Sequence, residues 1–158
     1  MTFRAAFLLP LLLAACSTGT PPATQVPAGP DALAQVGRWA LQGATDADGQ
    51  PIDAARPHGK AVHVAVFDDG ALAIEGGCNH MGGQYRIDGQ GRLVVAEIQS
   101  TLMACADRAL MDADAAVADL LRGTSEWRIA ESYPEQLFLE HADGRRSAWV
   151  AVRPAMSR

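Results

Sequence analysis

From Lys60 to Gly77 the chain alternates. Val62, Val64 and Val66 fall on one side, Ala61, His63, Ala65 and Phe67 on the other, and after Asp69-Gly70 the alternation resumes with Leu72 and Ile74. A period of two marks a half-buried strand, and Asp-Gly between two such runs is a strong short-range hairpin signal. The pattern is read with Val64, Val66, Leu72 and Ile74 on one inward face. A second hairpin is predicted in "GQYRIDGQGRLVVAEI", where Tyr85 and Ile87 approach Leu93 and Val95 across a Gly-rich turn. Trp39 and Leu41 mark a first strand. "SEWRIAES" and "QLFLEH" flank Tyr133-Pro134-Glu135, and "ADGRR" leads into "SAWVAV", which gives three more strands late in the chain.

One segment breaks this rhythm. In "DRALMDADAAVADLLRG" the residues Leu110, Val117, Leu120 and Leu121 recur at helical spacing, with Asp107, Asp112, Asp114 and Asp119 assigned mostly to a solvated face. Asp107 is placed to cap the start and Gly123 to end it. No series of parallel crossovers is present. The expectation is an α+β domain, a mainly antiparallel curled sheet or partial barrel covered by one amphipathic helix. Its core is assigned to Trp39, Val64, Val66, Leu72, Ile74, Tyr85, Trp127, Ile129, Leu137 and Leu139, with Val117 and Leu120 from the helix.

The start of the chain is a different matter. "MTFRAAFLLPLLLAACSTG" carries Arg4, an apolar run from Ala5 to Ala15, and small residues before Cys16. The run is too short and too abruptly ended to span a bilayer, and it reads as a secretory signal over residues 1–15. Leu13-Ala14-Ala15-Cys16 resembles the bacterial lipobox, which implies cleavage before a lipidated Cys16; Ser17, not Asp, then implies passage to the outer membrane. Acyl chains contribute about 0.8 kcal/mol per buried methylene, so several would anchor the protein to a membrane almost irreversibly. Residues 16–36, rich in Pro, Gly, Thr and Ala, are expected to form a tether, with one domain over residues 37–153. Among 158 residues the formal charge is −5, and removing Arg4 with the leader makes it −6. An acidic chain with no basic patch speaks against nucleic acid and leaves the lipid as the membrane contact. The localisation implied is the bacterial cell envelope, facing the periplasm.

Candidate chemistry centres on "EGGCNHMGGQY", residues 75–85. Cys78, His80 and Cys105, with His58 or His63, could supply metal ligands, but Cys-x-His is no familiar chelating turn and Cys-x-x-Cys is absent. A Cys78 nucleophile activated by His80 would need a persistent thiolate, which an oxidising compartment opposes. Glu75 and Glu97 stand alone, and no cofactor motif is present. The stretch is better read as a corner: Gly76-Gly77 and Gly82-Gly83 allow positive φ at its two ends, and the Asn79 amide can bond backbone groups that lack strand partners. With Cys16 given to lipid, Cys78 and Cys105 remain as an even pair, and a bridge between them would stabilise by roughly 3.5 kcal/mol through loop-closure entropy.

In combination, Trp39, "GCN" at 77–79, "GGQY" at 82–85 and "STLMAC" at 100–105 before an acidic helix resemble the META domain of HslJ-type heat-shock lipoproteins, over about residues 37–152. The motif positions are Trp39, Gly77, Asn79, Gly82, Gly83, Tyr85 and Thr101. Cys78 and Cys105 fit the pattern; the histidines do not belong to it. The resemblance implies a compact β-rich exported domain without established catalysis, associated with envelope stress or antibiotic tolerance. The expected partner is then an envelope protein or a small ligand. A Cys/His hydrolase or metal-dependent enzyme using Cys78 and His80, and a protease inhibitor, are the alternatives.

Overall fold

The computed structural model describes residues 32–153. The leader, Cys16 and the tether up to residue 31 lie outside the described residues. Among the described residues nine strands are present: β1 (Arg38–Thr45), β2 (Val64–Asp68), β3 (Ala71–Glu75), β4 (Met81–Ile87), β5 (Leu93–Val95), β6 (Gln99–Ser100), β7 (Gly123–Ala130), β8 (Gln136–His141) and β9 (Arg146–Ala151). Helix α1 (Ala32–Val36) precedes them, and α2 (Arg108–Leu121) lies between β6 and β7. Two 3-10 turns, Asp53–Ala55 and Pro57–Gly59, follow β1.

Every pairing is antiparallel, in the order β3-β2-β1-β9-β8-β7-β5-β4-β6, and β3 also pairs with β4. The expected curl therefore runs to full closure. Eight strands form a barrel, and β6 continues the side of β4 left free beyond β5. An interior of this width is filled by side chains. Trp39, Leu41, Phe67, Leu93, Leu137, Leu139 and Trp149 are all buried in one apolar cluster. Each large side chain buried in this way contributes about 1.5–3 kcal/mol.

The first hairpin reverses the facing expected for β2. Asp68 pairs with Ala71, leaving Asp69 (φ 40) and Gly70 (φ 80) as a two-residue turn. That register sets Phe67 opposite Leu72 and Ala65 opposite Ile74. Cross-strand partners share a face, so Ala65 and Phe67 go inward with Leu72 and Ile74 while Val64 and Val66 turn outward, half-buried. Tyr85, Trp127 and Ile129 are partly buried against the core; apart from Val64 and Val66, the other residues assigned to it are buried. The second hairpin pairs Tyr85 with Val95 and Ile87 with Leu93, as the pattern predicts.

The folded unit also begins earlier than residue 37. Leu33 of α1 is fully buried, and its carbonyl accepts a hydrogen bond from Trp39 Nε1 at 3.3 Å. At the other end of the barrel, α2 meets the residues just before β2, the β3–β4 connection, the start of β7, the end of β8 and the turn before β9. All of these belong to one mouth, which α2 caps with Val117, Leu120 and Leu121 directed into the core.

Candidate functional site

Leu110, Asp114, Val117 and Leu121 follow the 3, 4, 7 spacing of one helical face. Asp114 is accordingly carried inward with Val117, and only 3 % of it is exposed, against the solvated position expected for it. The charge is accepted there because donors surround it. Asp114 Oδ1 lies 2.8 Å from His63 Nε2. Oδ2 accepts the Asn79 backbone N–H at 2.7 Å and the Asn79 side-chain amide at 3.0 Å, and the Cys78 N–H reaches both oxygens at 3.2 Å. Burial alone would raise the Asp114 pKa, but the bonds from His63, Asn79 and Cys78 outweigh it, and the net shift is downward.

Gly76 and Gly77 make this geometry possible. Both have positive φ, which turns the next two amides onto one point and forms an anion-binding concavity in the backbone. A Cβ on Gly77 would lie 1.9 Å from Asp114 Oδ1, so the carboxylate occupies the space where a side chain would be. Gly82 and Gly83 serve differently from the positive φ expected of them. They sit inside β4, where a Cβ on Gly82 would meet the Leu72 carbonyl of β3 at 2.7 Å and one on Gly83 the Glu97 carbonyl at 2.5 Å, so their role is close backbone approach on the two sides of β4.

Asn79 passes the network outward. Its Oδ1 accepts from Thr101 Oγ1 at 3.1 Å and from the Met103 N–H at 2.8 Å, and Thr101 Oγ1 accepts from the His80 N–H at 3.1 Å. Cys78 and Cys105 are joined by a disulfide with Cα atoms 5.9 Å apart. Gly77, Cys78, Asn79, Thr101 and Cys105 thus converge on one corner, whereas Trp39 lies under α1 and Tyr85 packs edge-on to Phe67, with ring centroids 5.0 Å apart. The His80 side chain points to solvent, and His58 pairs with the helix-capping Asp107 at 3.0 Å. Glu75, read as isolated, pairs with Arg38. The residues missed were Asp114, hidden by its neighbouring aspartates, and His63, which is fully buried just before β2. With the Cys78 sulfur in a disulfide and the Asp114 oxygens bonded, the corner orders backbone.

What it orders is the wall of a groove. Between α2 and the segment Ser100–Ala104 lies a cavity of about 600 Å³, floored by Met81, Ile98, Ala115 and Ala118. Leu102 is wholly exposed beside it, with Met103 50 % and Met111 39 % exposed; among the described residues the other large exposed apolar side chain is Tyr133.

A family model described as META domain matches residues 31–153. A solved structure, the NMR structure of a protein from Burkholderia xenovorans, aligns with a TM-score of 0.67 at 18 % identity, covering 91 % of this chain and 100 % of that one, and it shows the fold alone. No curated protein matches the sequence.

Proposed function

We propose, from the premise that this chain belongs to the META domain family, that it is a non-enzymatic binding domain of the bacterial envelope. Its groove between α2 and Ser100–Ala104 holds an apolar, extended segment of another envelope protein. One observation carries this reading: the motif residues Asn79 and Thr101 are spent on holding a segment whose Leu102 side chain is wholly exposed at a groove. An apolar residue in that position costs solubility and is characteristic of interaction sites. Met81, Met103 and Met111 bring flexible, polarizable side chains that adapt to varied apolar partners. Strand β6 ends the sheet order, with β4 its partner, so its second edge can receive an extended backbone. That favours a polypeptide over a compact small molecule.

The leader pattern supports attachment through a lipid on Cys16, and a role in stress or antibiotic tolerance follows the family resemblance. The test is a photo-crosslinking residue at Leu102 in intact cells, before and after heat or antibiotic stress. The expected result is a defined protein adduct, mapped to an apolar peptide, that disappears when Ala115→Glu blocks the groove. The reading fails if no adduct forms in either state while the purified protein turns over a substrate and loses that turnover in Cys78→Ser.

A further inference from the structure

The outer face of β1, β9, β8 and β7 carries a second concavity, away from α2. Arg128, Phe138, Ala148 and Gly43 are successive register partners across these four strands, so they stand side by side. Their side chains shrink along the row from guanidinium and phenyl to methyl and hydrogen. The result is a trough with a high wall at Phe138 and a floor at Ala148 and Gly43, bordered beyond β1 by Pro51, which bridges to Thr45. A β-bulge between Leu41 and Gly43 lies at the floor, and bulges recur beside sites. The cavity measures about 500 Å³, within the usual range of small-molecule sites. A Cβ on Gly43 would meet nothing within 4 Å, so the floor is open space.

Fixed charges of both signs flank this floor. The Arg128 guanidinium lies 3.9 Å from the centroid of the Phe138 ring and has no carboxylate partner among the described residues. In the next row Glu126 is directly opposite Glu140, whose partner is Arg146 at 3.1 Å. Glu126 itself makes no ion pair among the described residues, and like charges directly across a sheet repel. A cation and an anion without salt-bridge partners therefore sit two residues apart on one face of β7, about 6.6 Å along the strand. We propose that this trough binds a small zwitterion with an apolar side chain, an amino acid or a short peptide. Its carboxylate meets Arg128, its ammonium relieves the Glu126–Glu140 repulsion, and its side chain covers Ala148 and Gly43.

Titration of the ¹⁵N-labelled full-length protein with phenylalanine, phenethylamine and 3-phenylpropanoate, followed by amide chemical shifts, tests this. Phenylalanine is expected to move the Gly43, Phe138 and Ala148 amides, and each single-charge analogue to bind about tenfold more weakly, the loss expected for one charge-assisted bond. Gly43→Leu should fill the trough and abolish binding with the melting temperature unchanged. Arg128→Gln should weaken phenylalanine about tenfold and leave phenethylamine unaffected, a readout that does not depend on Gly43→Leu folding. The proposal is overturned if no ligand binds, if shifts map elsewhere, if the analogues equal the zwitterion, or if Gly43→Leu folds and still binds. Shifts that depend on protein concentration without ligand would assign the face to a second copy of the chain and overturn it equally.

Discussion

The Asp114 carboxylate on α2 accepts the Asn79 backbone N–H at 2.7 Å across thirty-five residues of chain. This bond joins the helix to the corner that precedes β4, and it is one of several converging on the same two oxygens. Asp114→Asn keeps the shape but leaves one acceptor oxygen for His63, Cys78 and Asn79, which share two in the parent, so at least one of these buried groups loses its partner. Leaving buried groups unsatisfied costs about 1–3 kcal/mol each, so the urea midpoint should fall substantially. A midpoint within error of the parent would show that the network adds nothing to stability.

Acid should weaken the domain in two steps. Burial holds the His141 imidazole below its ordinary 6.5, despite the opposing bond from Nε2 to the Leu120 carbonyl at 2.6 Å. Asp114 is held below 3.8. A depressed pKa means the native state binds fewer protons, so each group adds stability that is complete above its unfolded value and lost as pH falls through its folded one. Denaturation free energy should therefore decline below pH 6.5 and again below pH 3.8. His141→Gln should flatten the first decline, and a profile as steep as the parent's in that variant would remove His141 as its source.

Glycine substitutions separate space from conformation. Gly77→Ala places a methyl on the Asp114 carboxylate at a φ of +70, whereas Gly43→Ala meets nothing within 4 Å at an ordinary φ. The left-handed backbone alone costs about 1–2 kcal/mol. Thermal denaturation should therefore show Gly77→Ala strongly destabilised and Gly43→Ala near the parent. Equal melting temperatures would contradict the packing described for Gly77.

Reducing the Cys78–Cys105 disulfide, which closes 27 residues of sequence separation, should cost roughly 3.5 kcal/mol at most. Cys105→Ser should also loosen Leu102 and Met103, and amide hydrogen exchange at Met103, bonded to Asn79 Oδ1, reads this directly. Unchanged protection there would mean that Asn79 alone holds the segment.

The hairpins, the capped helix and the disulfide were legible because each rests on short-range signals: alternation around Asp69-Gly70, Asp107 before an apolar repeat, two cysteines left to pair. The facing of β2 was open to the same logic, since a two-residue turn obliges Phe67 to oppose Leu72, but three valines drew the inward face to the wrong side. Asp114 was hidden by composition. Among three aspartates within the helix it alone shares the spacing of Val117 and Leu121, and what accepts its charge comes from residues 63–79, which no local pattern joins to the helix. Barrel closure was likewise beyond local reach, for the β3–β4 seam depends on backbone approach at Gly82, and the packing of β4 on the segment after β5 on that at Gly83.

Trp39 and Ala151 are register partners, so the start of β1 and the finish of β9 lie one strand spacing apart on the same rim of the barrel. A load drawn through both ends of the domain would pull these strands apart from their tips, breaking hydrogen bonds one after another and never shearing them together. The closed eight-strand barrel is thereby mechanically soft along one line. Tension applied at the two ends of the domain would act first on α1, held by Leu33, and then on the Trp39–Ala151 tip of the β1–β9 ladder, at the rim opposite the Asp114 corner.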